Sequence, residues 1–354
     1  MKEIKKIALV IPSLNAGGME RVMSELANYF SKMESIEVHL IILGKNKKFY
    51  DIGNRVVVHE PVFYFDNKYR LYHTLKTIAF LRSKIKEIKP YSMLSFGEMY
   101  NSFVLLSSLF LKVKVYVSDR SKPDKSWGRL HDILRKVLYK NAFGIISQTT
   151  YSKTFLDKIT NHKNIIVIPN PVRHEEENNL VRKNVILSVG RLIFSKRIDL
   201  LLEIFADVNR KDFNLWIVGD GPEHEKLVNL AKELNILDRV TFWGSRKDVD
   251  LFYGQAKIFA FTSVSEGFPN ALLEALASGL PSISFDCVAG PSDLIDDGQN
   301  GFLIPLLDVD CYKEKLSRLM DDQVHEQLAA NTKKSAKKYH IENVGKVYLN
   351  ALLS

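Results

Sequence analysis

The chain of 354 residues is long for one domain and fits two of ordinary size. Its apolar content of 46% supports real hydrophobic cores, and its most apolar window, Phe103 to Leu111, is about half the ~20 residues a membrane-spanning helix needs. The net charge of +9 is uneven: residues 1–170 carry 28 Lys and Arg against 14 Asp and Glu, whereas residues 171–354 carry 22 against 27. A basic half joined to an acidic half points to an anionic partner for the first alone, either anionic lipid or nucleic acid, with plain solubility as the alternative. Two cysteines, Cys287 and Cys311, form no CxxC pair and read as reduced and structural. The start MKEIKKIALVIPSLN reads as a charged lead-in to a strand, so no signal peptide is expected.

In chain order, KIALVIP (6–12) reads as a buried first strand. A loop with Gly17 and Gly18 follows, then a helix with Val22, Met23, Leu26 and Phe30 on one side. A strand, a Gly pair and a helix start let backbone approach a phosphate or sugar, although a Gly pair alone is equally a tight turn. No G-x-G-x-x-G is present, which counts against a nicotinamide or flavin dinucleotide site. Val38–Leu43 predicts the second strand. Residues 68–89 predict a helix with Leu71, Leu75, Ile78, Ile85 and Ile88 on a core-facing stripe and a basic opposite face. That basic face suits an anionic membrane surface or simple solvation. Strands are expected at 92–97 and 113–118, placing Asp119 and Arg120 at a strand's carboxyl end, where open α/β sheets bind ligands. Either these two contact an anionic acceptor or donor phosphate, or they form a loop ion pair. A second basic helix is expected over Trp127–Lys140, and GIISQTT and IIVIPNPV close the first half.

RHEEENNLVRKN (173–184) is charged and unpatterned and reads as a linker. NVILSVGRL then restarts the strand–helix alternation, which supports two doubly wound α/β domains. Gly190 and Arg191 end that strand and Lys196 precedes the next helix, a suitable place to neutralise a diphosphate. NLWIVGDGPEHEKL reads as strand, turn with Gly219 and Gly221, and helix; VTFWGSRKDV brings Gly244. FAFTSVSEGFPNALLEALASG (259–279) reads as a buried strand, a loop broken by Gly267, and a nearly all-apolar helix with Pro269 in its first turn. Glu266 and Glu274 are on the order of 12 Å apart at helical rise. That is too far for the paired carboxylates of a glycoside hydrolase and fits two ends of an extended ligand. An unpaired Glu274 in that apolar run would be expensive. The triplets Asp248-Val249-Asp250 and Asp308-Val309-Asp310 read as helix caps rather than metal ligands.

The stretch EGFPNALLEALASGLP resembles the E-x7-E signature of the retaining family 4 glycosyltransferases, which have the GT-B fold. GGMER at 17–21, IPNPV at 168–172, GRLIFSK at 190–196, the GDGP turn at 219–222 and GPSDLIDDGQNG at 290–301 are also similar to that family. The resemblance implies two Rossmann-like domains facing across a cleft: residues 1–172 for the acceptor, 185–335 for the nucleotide sugar, and 336–354 packing back toward the first. It assigns Glu274 to the ribose, Arg191 and Lys196 to the pyrophosphate, and Glu266 to the sugar. Gly17, Gly18, Gly190, Gly219, Gly221, Gly244, Gly267, Phe268, Pro269 and Asn270 complete the expected donor pocket. Arg197 stands where the family often has Gly, and Asp119-Arg120 where it often has Glu-His, so an acceptor role passes to Arg120.

The activity so implied is transfer of a hexose or N-acetylhexosamine from a nucleotide-diphosphate sugar, UDP-linked, to a lipid-linked (polyprenyl-diphosphate) oligosaccharide of an O-antigen, capsule or glycan. No cofactor and no metal are expected. The basic half would lie on the cytoplasmic face of the inner membrane as a peripheral protein. The rival readings are a sugar-nucleotide epimerase on the same fold and a basic nucleic-acid-binding protein. No aromatic–basic interleaving is read in the sequence, so no nucleic-acid partner is expected.

Overall fold

The computed structural model describes residues 4–45, 48–173 and 180–354. The chain divides into two compact units, Met1–Arg173 with Tyr339–Ser354, and His174–Lys338. Residues 174–179, half of the expected linker, lie outside the described residues. The rest of that stretch is attached. Arg173 Nε pairs with Glu25 at 3.1 Å in the first unit, and Arg182 donates to the carbonyls of Tyr253, Ala256 and Ser278 at 3.2, 2.5 and 2.7 Å in the second.

The first unit alternates β1 (Lys5–Ile11), α1 (Gly18–Phe30), β2 (Ile36–Ile42), β3 (Val56–His59), α2 (Arg70–Ile88), β4 (Ser92–Phe96), α3 (Glu98–Ser108), β5 (Lys114–Ser118), α4 (Arg129–Leu138), β6 (Gly144–Ser147), α5 (Thr150–Thr160) and β7 (Ile165–Val167). Its strands form one parallel sheet in the order β3-β2-β1-β4-β5-β6-β7. Central Leu9 sits in register with Leu40 and Leu94. Both faces are covered, which is why IALVI (7–11) is continuously apolar rather than alternating. One face packs α1 and the C-terminal helix Ile341–Leu353, with Phe30, Tyr348 and Leu352 in a shared core. The close approach needs Gly345, where a Cβ would stand 2.5 Å from the Tyr29 ring. Tyr116 and Lys114 fasten the chain end by donating to the carbonyls of Ala351 and Ser354 at 2.5 and 2.7 Å.

The other face packs α2, α3, α4 and α5 over Met93, Val115 and Ile145. The expected stripe of α2 is only half used. Ile85 and Ile88 are buried with Leu81, but Leu71 and Leu75 are exposed and Ile78 is only partly covered, so the first turns of α2 run past the core.

The second unit alternates β8 (Val185–Val189), α6 (Ile198–Val208), β9 (Asn214–Val218), α7 (His224–Glu233), β10 (Val240–Gly244), α8 (Val249–Gln255), β11 (Ile258–Phe261), α9 (Asn270–Ala277), β12 (Ser282–Phe285), α10 (Pro291–Leu294), β13 (Gly301–Ile304), α11 (Val309–Leu319) and α12 (Asp322–Ala336). After it the chain returns to the first unit as α13, Ile341–Leu353. The sheet is again parallel, in the order β10-β9-β8-β11-β12-β13. Of the two D-x-D triplets, Asp308 caps α11 by accepting from Cys311 N at 3.1 Å. Asp248 makes no side-chain cap and pairs with Arg246.

Candidate active site

The second unit's strands all end on one edge, and the chain turns there into helices whose first N–H groups are free for an anion. After β8, Gly190 N donates to Val218 O at 3.0 Å and Leu192 N to Asp220 O at 3.0 Å, tying this loop to the turn after β9. Gly219, at φ +139, lies so close that a Cβ would stand 1.8 Å from Gly190 O; a Cβ on Gly221 would stand 2.4 Å from Leu192 O. These glycines therefore allow two loops to stack, a role set by backbone contact within the protein. Gly219 N also donates to Gly244 O at 2.8 Å, which joins the turn after β10 to the same edge.

Lys196 and Glu266 are brought together. The lysine Nζ stands 2.5 Å from Glu266 Oε1, with the two side chains 20% and 11% exposed. Thr262 Oγ1 donates to Lys196 O at 2.9 Å, and Val264 N to Ser195 O at 2.9 Å, so the loop before α6 is pinned to the loop after β11. Between them lies a cleft lined by Ser188, Val189, Gly190, Lys196, Phe261, Thr262 and Ser263. Arg191 is exposed on the same loop. Arg197 takes a left-handed φ of 49° at the start of α6 and is braced by Asp199 at 3.0 Å. That backbone explains the glycine of the resembling pattern.

Glu274 lies within α9 and is 8% exposed, yet it is not unpaired: Tyr253 of α8 donates to its Oε2 at 2.9 Å. Sequence reasoning does not reach Tyr253, which is 21 positions away with no local pattern to mark it. Gly267, Phe268 and Pro269 are buried and Asn270 opens α9, so Pro269 is the N-cap and not in the first turn. Gly290, at φ +127, presses on Pro269, where a Cβ would stand 2.2 Å from its Cδ. Cys287 is buried nearby, and burial together with the charge of Glu266 pushes its thiol up to about 12, so it is inert as a thiolate.

In the first unit, Gly17 and Gly18 stand at the β1–α1 junction. Tyr50 donates to Gly17 O at 3.0 Å. Glu20 accepts from Ser13 Oγ at 3.3 Å, and Arg21 Nε donates to Glu25 at 2.9 Å. Asp119 and Arg120 do follow β5, and both are engaged within the first unit. Asp119 is buried, paired with Arg135, and accepts from Tyr139 at 2.5 Å and Asn101 at 3.1 Å. Arg120 lies over the Phe96 ring at 3.2 Å and donates to Asn170 at 2.5 Å and Tyr348 at 3.1 Å. Its guanidinium clamps the exit of β7 to α13. The buried Glu98 closes the same loop by accepting from the backbone N of Arg120 and Ser121 at 2.9 and 2.6 Å. Burial and the neighbouring Asp119 charge raise its carboxyl above the usual range. Asp119 and Arg120 thus have partners within the protein, as desolvated groups at a strand end require.

Two all-parallel, doubly wound units define the GT-B class of α/β proteins. The family description "Glycosyl transferases group 1" matches residues 171–339, and "Glycosyltransferase Family 4" matches residues 16–176. An uncharacterized glycosyltransferase of Haemophilus influenzae is 31% identical over 96% of this chain and 98% of its own. The Campylobacter jejuni enzyme named GalNAc-alpha-(1->4)-GalNAc-alpha-(1->3)-diNAcBac-PP-undecaprenol alpha-1,4-N-acetyl-D-galactosaminyltransferase is 27% identical over 98% of both chains. The S. aureus TarM structure with fondaparinux, alpha-GlcNAc-glycerol and UDP superposes with a TM-score of 0.81, covering 99% of this chain and 100% of its own at 15% identity. The chain belongs to family 4 of the glycosyltransferases, and it is an enzyme of that class.

Proposed function

We propose that this glycosyltransferase moves a hexose or N-acetylhexosamine, with retention, from a UDP-sugar to a polyprenyl-diphosphate-linked oligosaccharide during O-antigen, capsule or related glycan assembly. The observation that carries the reading is the Lys196–Glu266 pair at the strand edge that Gly190 and Arg191 also occupy. On this reading the diphosphate takes Lys196 and Arg191, and Glu266 turns to the sugar hydroxyls. Glu274, positioned by Tyr253, accepts from the ribose. The two cations stabilise charge that builds on the departing diphosphate, which is usually the largest catalytic effect. The acceptor hydroxyl attacks from the leaving-group side. The C1–O bond to the diphosphate breaks as the new glycosidic bond forms, and the diphosphate takes the hydroxyl proton. No carboxylate nucleophile and no metal are needed in this scheme. On this reading a lipid-linked acceptor and a nucleotide-sugar donor together would place the work at the cytoplasmic face of a membrane.

The test is thermal stability of the protein against UDP, GDP, ADP and their sugar conjugates, with Glu274→Ala and Arg191→Ala alongside. A nucleotide at 100 times its Kd adds about 2.7 kcal/mol. A UDP-sugar shift in the wild type that both variants lose supports the reading. No shift with any nucleotide overturns it, and turnover without an acceptor favours the epimerase.

A further inference from the structure

We propose that Asp286, at the carboxyl end of β12, is a specificity-determining residue for the donor. Its carboxylate accepts a hydrogen bond from a hydroxyl or amide of the transferred sugar, on the side remote from the diphosphate, and makes the site selective for neutral sugars over uronic acids. The proposal deepens the donor reading above and rests on it. Asp286 lies outside the family-like stretches of the sequence, the nearest of which begins at Gly290. It is exposed between two buried neighbours, Phe285 and Cys287. Among the described residues, none forms a hydrogen bond or ion pair with its carboxylate.

The backbone holds that carboxylate at the edge where the donor residues gather. β12 runs parallel to β11 with Ser284 opposite Phe261, so Asp286 reaches the level of Ser263, at the start of the loop that carries Glu266. Asp286 N donates to Ile304 O at 2.7 Å, which prolongs the pairing with β13. Cys287 N donates to Phe285 O at 3.0 Å, which puts Asp286 at the apex of a three-residue turn. The chain then passes through Ala289, at a left-handed φ of 69°, and Gly290, and folds onto Pro269 at the cap of α9. A non-glycine residue in that region is held there only where its surroundings determine it. The turn with Asp286 is therefore fixed against the Glu266 loop. The buried Cys287 thiol agrees: after burial itself, the charges of Glu266, Lys196 and Asp286 act on it, so all three lie within electrostatic reach of one atom.

The strand order sets which part of the donor each group meets. Across β8, β11 and β12 the edge carries Arg191 and Lys196, then Glu266, then Asp286. A diphosphate on the two cations puts the sugar at Glu266, and the far side of the ring points to the next strand, about 4.8 Å on. Once Lys196 turns to the diphosphate, it no longer neutralises Glu266. Two carboxylates then face the sugar, and an ionised carboxylate can only accept hydrogen bonds. The sugar must present O–H or N–H groups to both, as a hexose or N-acetylhexosamine does. A uronic acid would bring a third negative charge and meet like-charge repulsion, which is discrimination by a built-in clash.

The experiment is isothermal titration of the full chain with UDP, with the UDP conjugates of glucose, galactose, N-acetylglucosamine and N-acetylgalactosamine, and with UDP-glucuronate. The proteins are the wild type, Asp286→Asn and Asp286→Ala, and a melt checks that all three fold. No acceptor is added, so only donor contacts are read. UDP lacks the sugar, and its affinity should be the same in all three proteins. The neutral UDP-sugar that the wild type binds most tightly should lose about tenfold in Asp286→Ala. UDP-glucuronate, bound more weakly than the neutral sugars by the wild type, should gain about three- to tenfold in Asp286→Asn. An unchanged sugar preference in both variants, with UDP binding intact, overturns this proposal and leaves the donor reading standing. An equal loss for UDP and UDP-sugars also overturns it, because Asp286 would then shape the site without touching the sugar. So does a wild type that prefers UDP-glucuronate. A wild type that binds neither UDP nor any UDP-sugar overturns the donor reading itself, and this proposal with it.

Discussion

The Lys196–Glu266 pair offers the sharpest test, because its two halves should respond in opposite directions to nucleotide. Removing one partner of a fully buried pair costs about 3–5 kcal/mol, and an exposed pair is worth about 0–1. With side chains 20% and 11% exposed, Lys196→Met should fall between, at about 2 kcal/mol, mostly from the stranded Glu266 carboxylate. For a unit of this size that is a drop of about 4–8 °C in Tm. Glu266→Gln should cost less, because an amide oxygen still accepts from the ammonium. Its more telling effect is on UDP. In the ligand-free protein Glu266 competes with the diphosphate for Lys196, so neutralising it should tighten UDP binding about three- to tenfold, or about 0.7–1.4 kcal/mol. Lys196→Met should weaken UDP by tenfold or more, and both variants should lose transfer. Calorimetric melts and isothermal titration with UDP read these effects directly. Unchanged or weaker UDP binding in Glu266→Gln, with wild-type binding in Lys196→Met, would refute the idea that this pair guards the diphosphate site.

Glu274→Ala removes one of two acceptors of the Tyr253 hydroxyl, the carbonyl of Ala271 remaining at 3.2 Å, and should cost about 1 kcal/mol along with the UDP-dependent shift, whereas Tyr253→Phe should keep UDP binding within about tenfold. Paired melts with and without UDP check both. Arg120→Met should destabilise the first unit by about 2–4 kcal/mol, through the lost bonds to Asn170 and Tyr348, while UDP affinity stays as in the wild type. A fully stable, inactive variant would instead support an acceptor role for Arg120. Acid should loosen the first unit through His39 and His59, whose rings lie 3.0 Å apart between Nδ1 and Nε2. Burial lowers both pKa values; for His59 the facing His39 and Lys84 add to it, whereas Glu37 opposes it at His39. Folding therefore favours the neutral rings. Their contribution is complete above the unfolded pKa of about 6.5 and is lost as pH falls through the lower folded values. Tm from pH 7 to 5 should fall less steeply in the His39→Gln, His59→Gln double variant.

Much of the fold is legible because strands buried on both faces are nearly continuously apolar, as in IALVI and VILSV. β3 is not legible in the same way: VVVH is four residues at a sheet edge and ends against Glu60-Pro61. Periodicity found the apolar stripe of α2 but not its limits, since spacing shows which side chains share a face and not where the neighbouring sheet stops. In the site, Gly190, Arg191, Lys196, Glu266 and Glu274 were reachable through motif spacing. The pairing of Lys196 with Glu266 across 70 positions, and of Glu274 with Tyr253, belongs to tertiary structure and leaves no local trace.

The two departures from the family pattern have different physical standing. At Arg197 the backbone requirement survives the substitution: φ remains at 49°, and the arginine bears a left-handed conformation that costs a non-glycine residue about 1–2 kcal/mol. The bond to Asp199 offsets part of this. Arg197→Gly should therefore be neutral or stabilising by up to about 1 kcal/mol, while Arg197→Val, β-branched and without the bond, should destabilise by at least as much. Urea unfolding checks both, and a Val variant as stable as the Gly variant would show that the strain is not there. At Asp119-Arg120 the backbone is ordinary, and the side chains have changed employment instead. A carboxylate and a guanidinium at a desolvated strand end need partners, and here Arg135, Tyr139, Asn170 and Tyr348 supply them, while Arg120 Nε has no hydrogen-bond partner among the described residues. Where a family position is fixed by conformation, the substitution is carried as strain. Where it is fixed only by side-chain chemistry, the residue is free to become part of the scaffold.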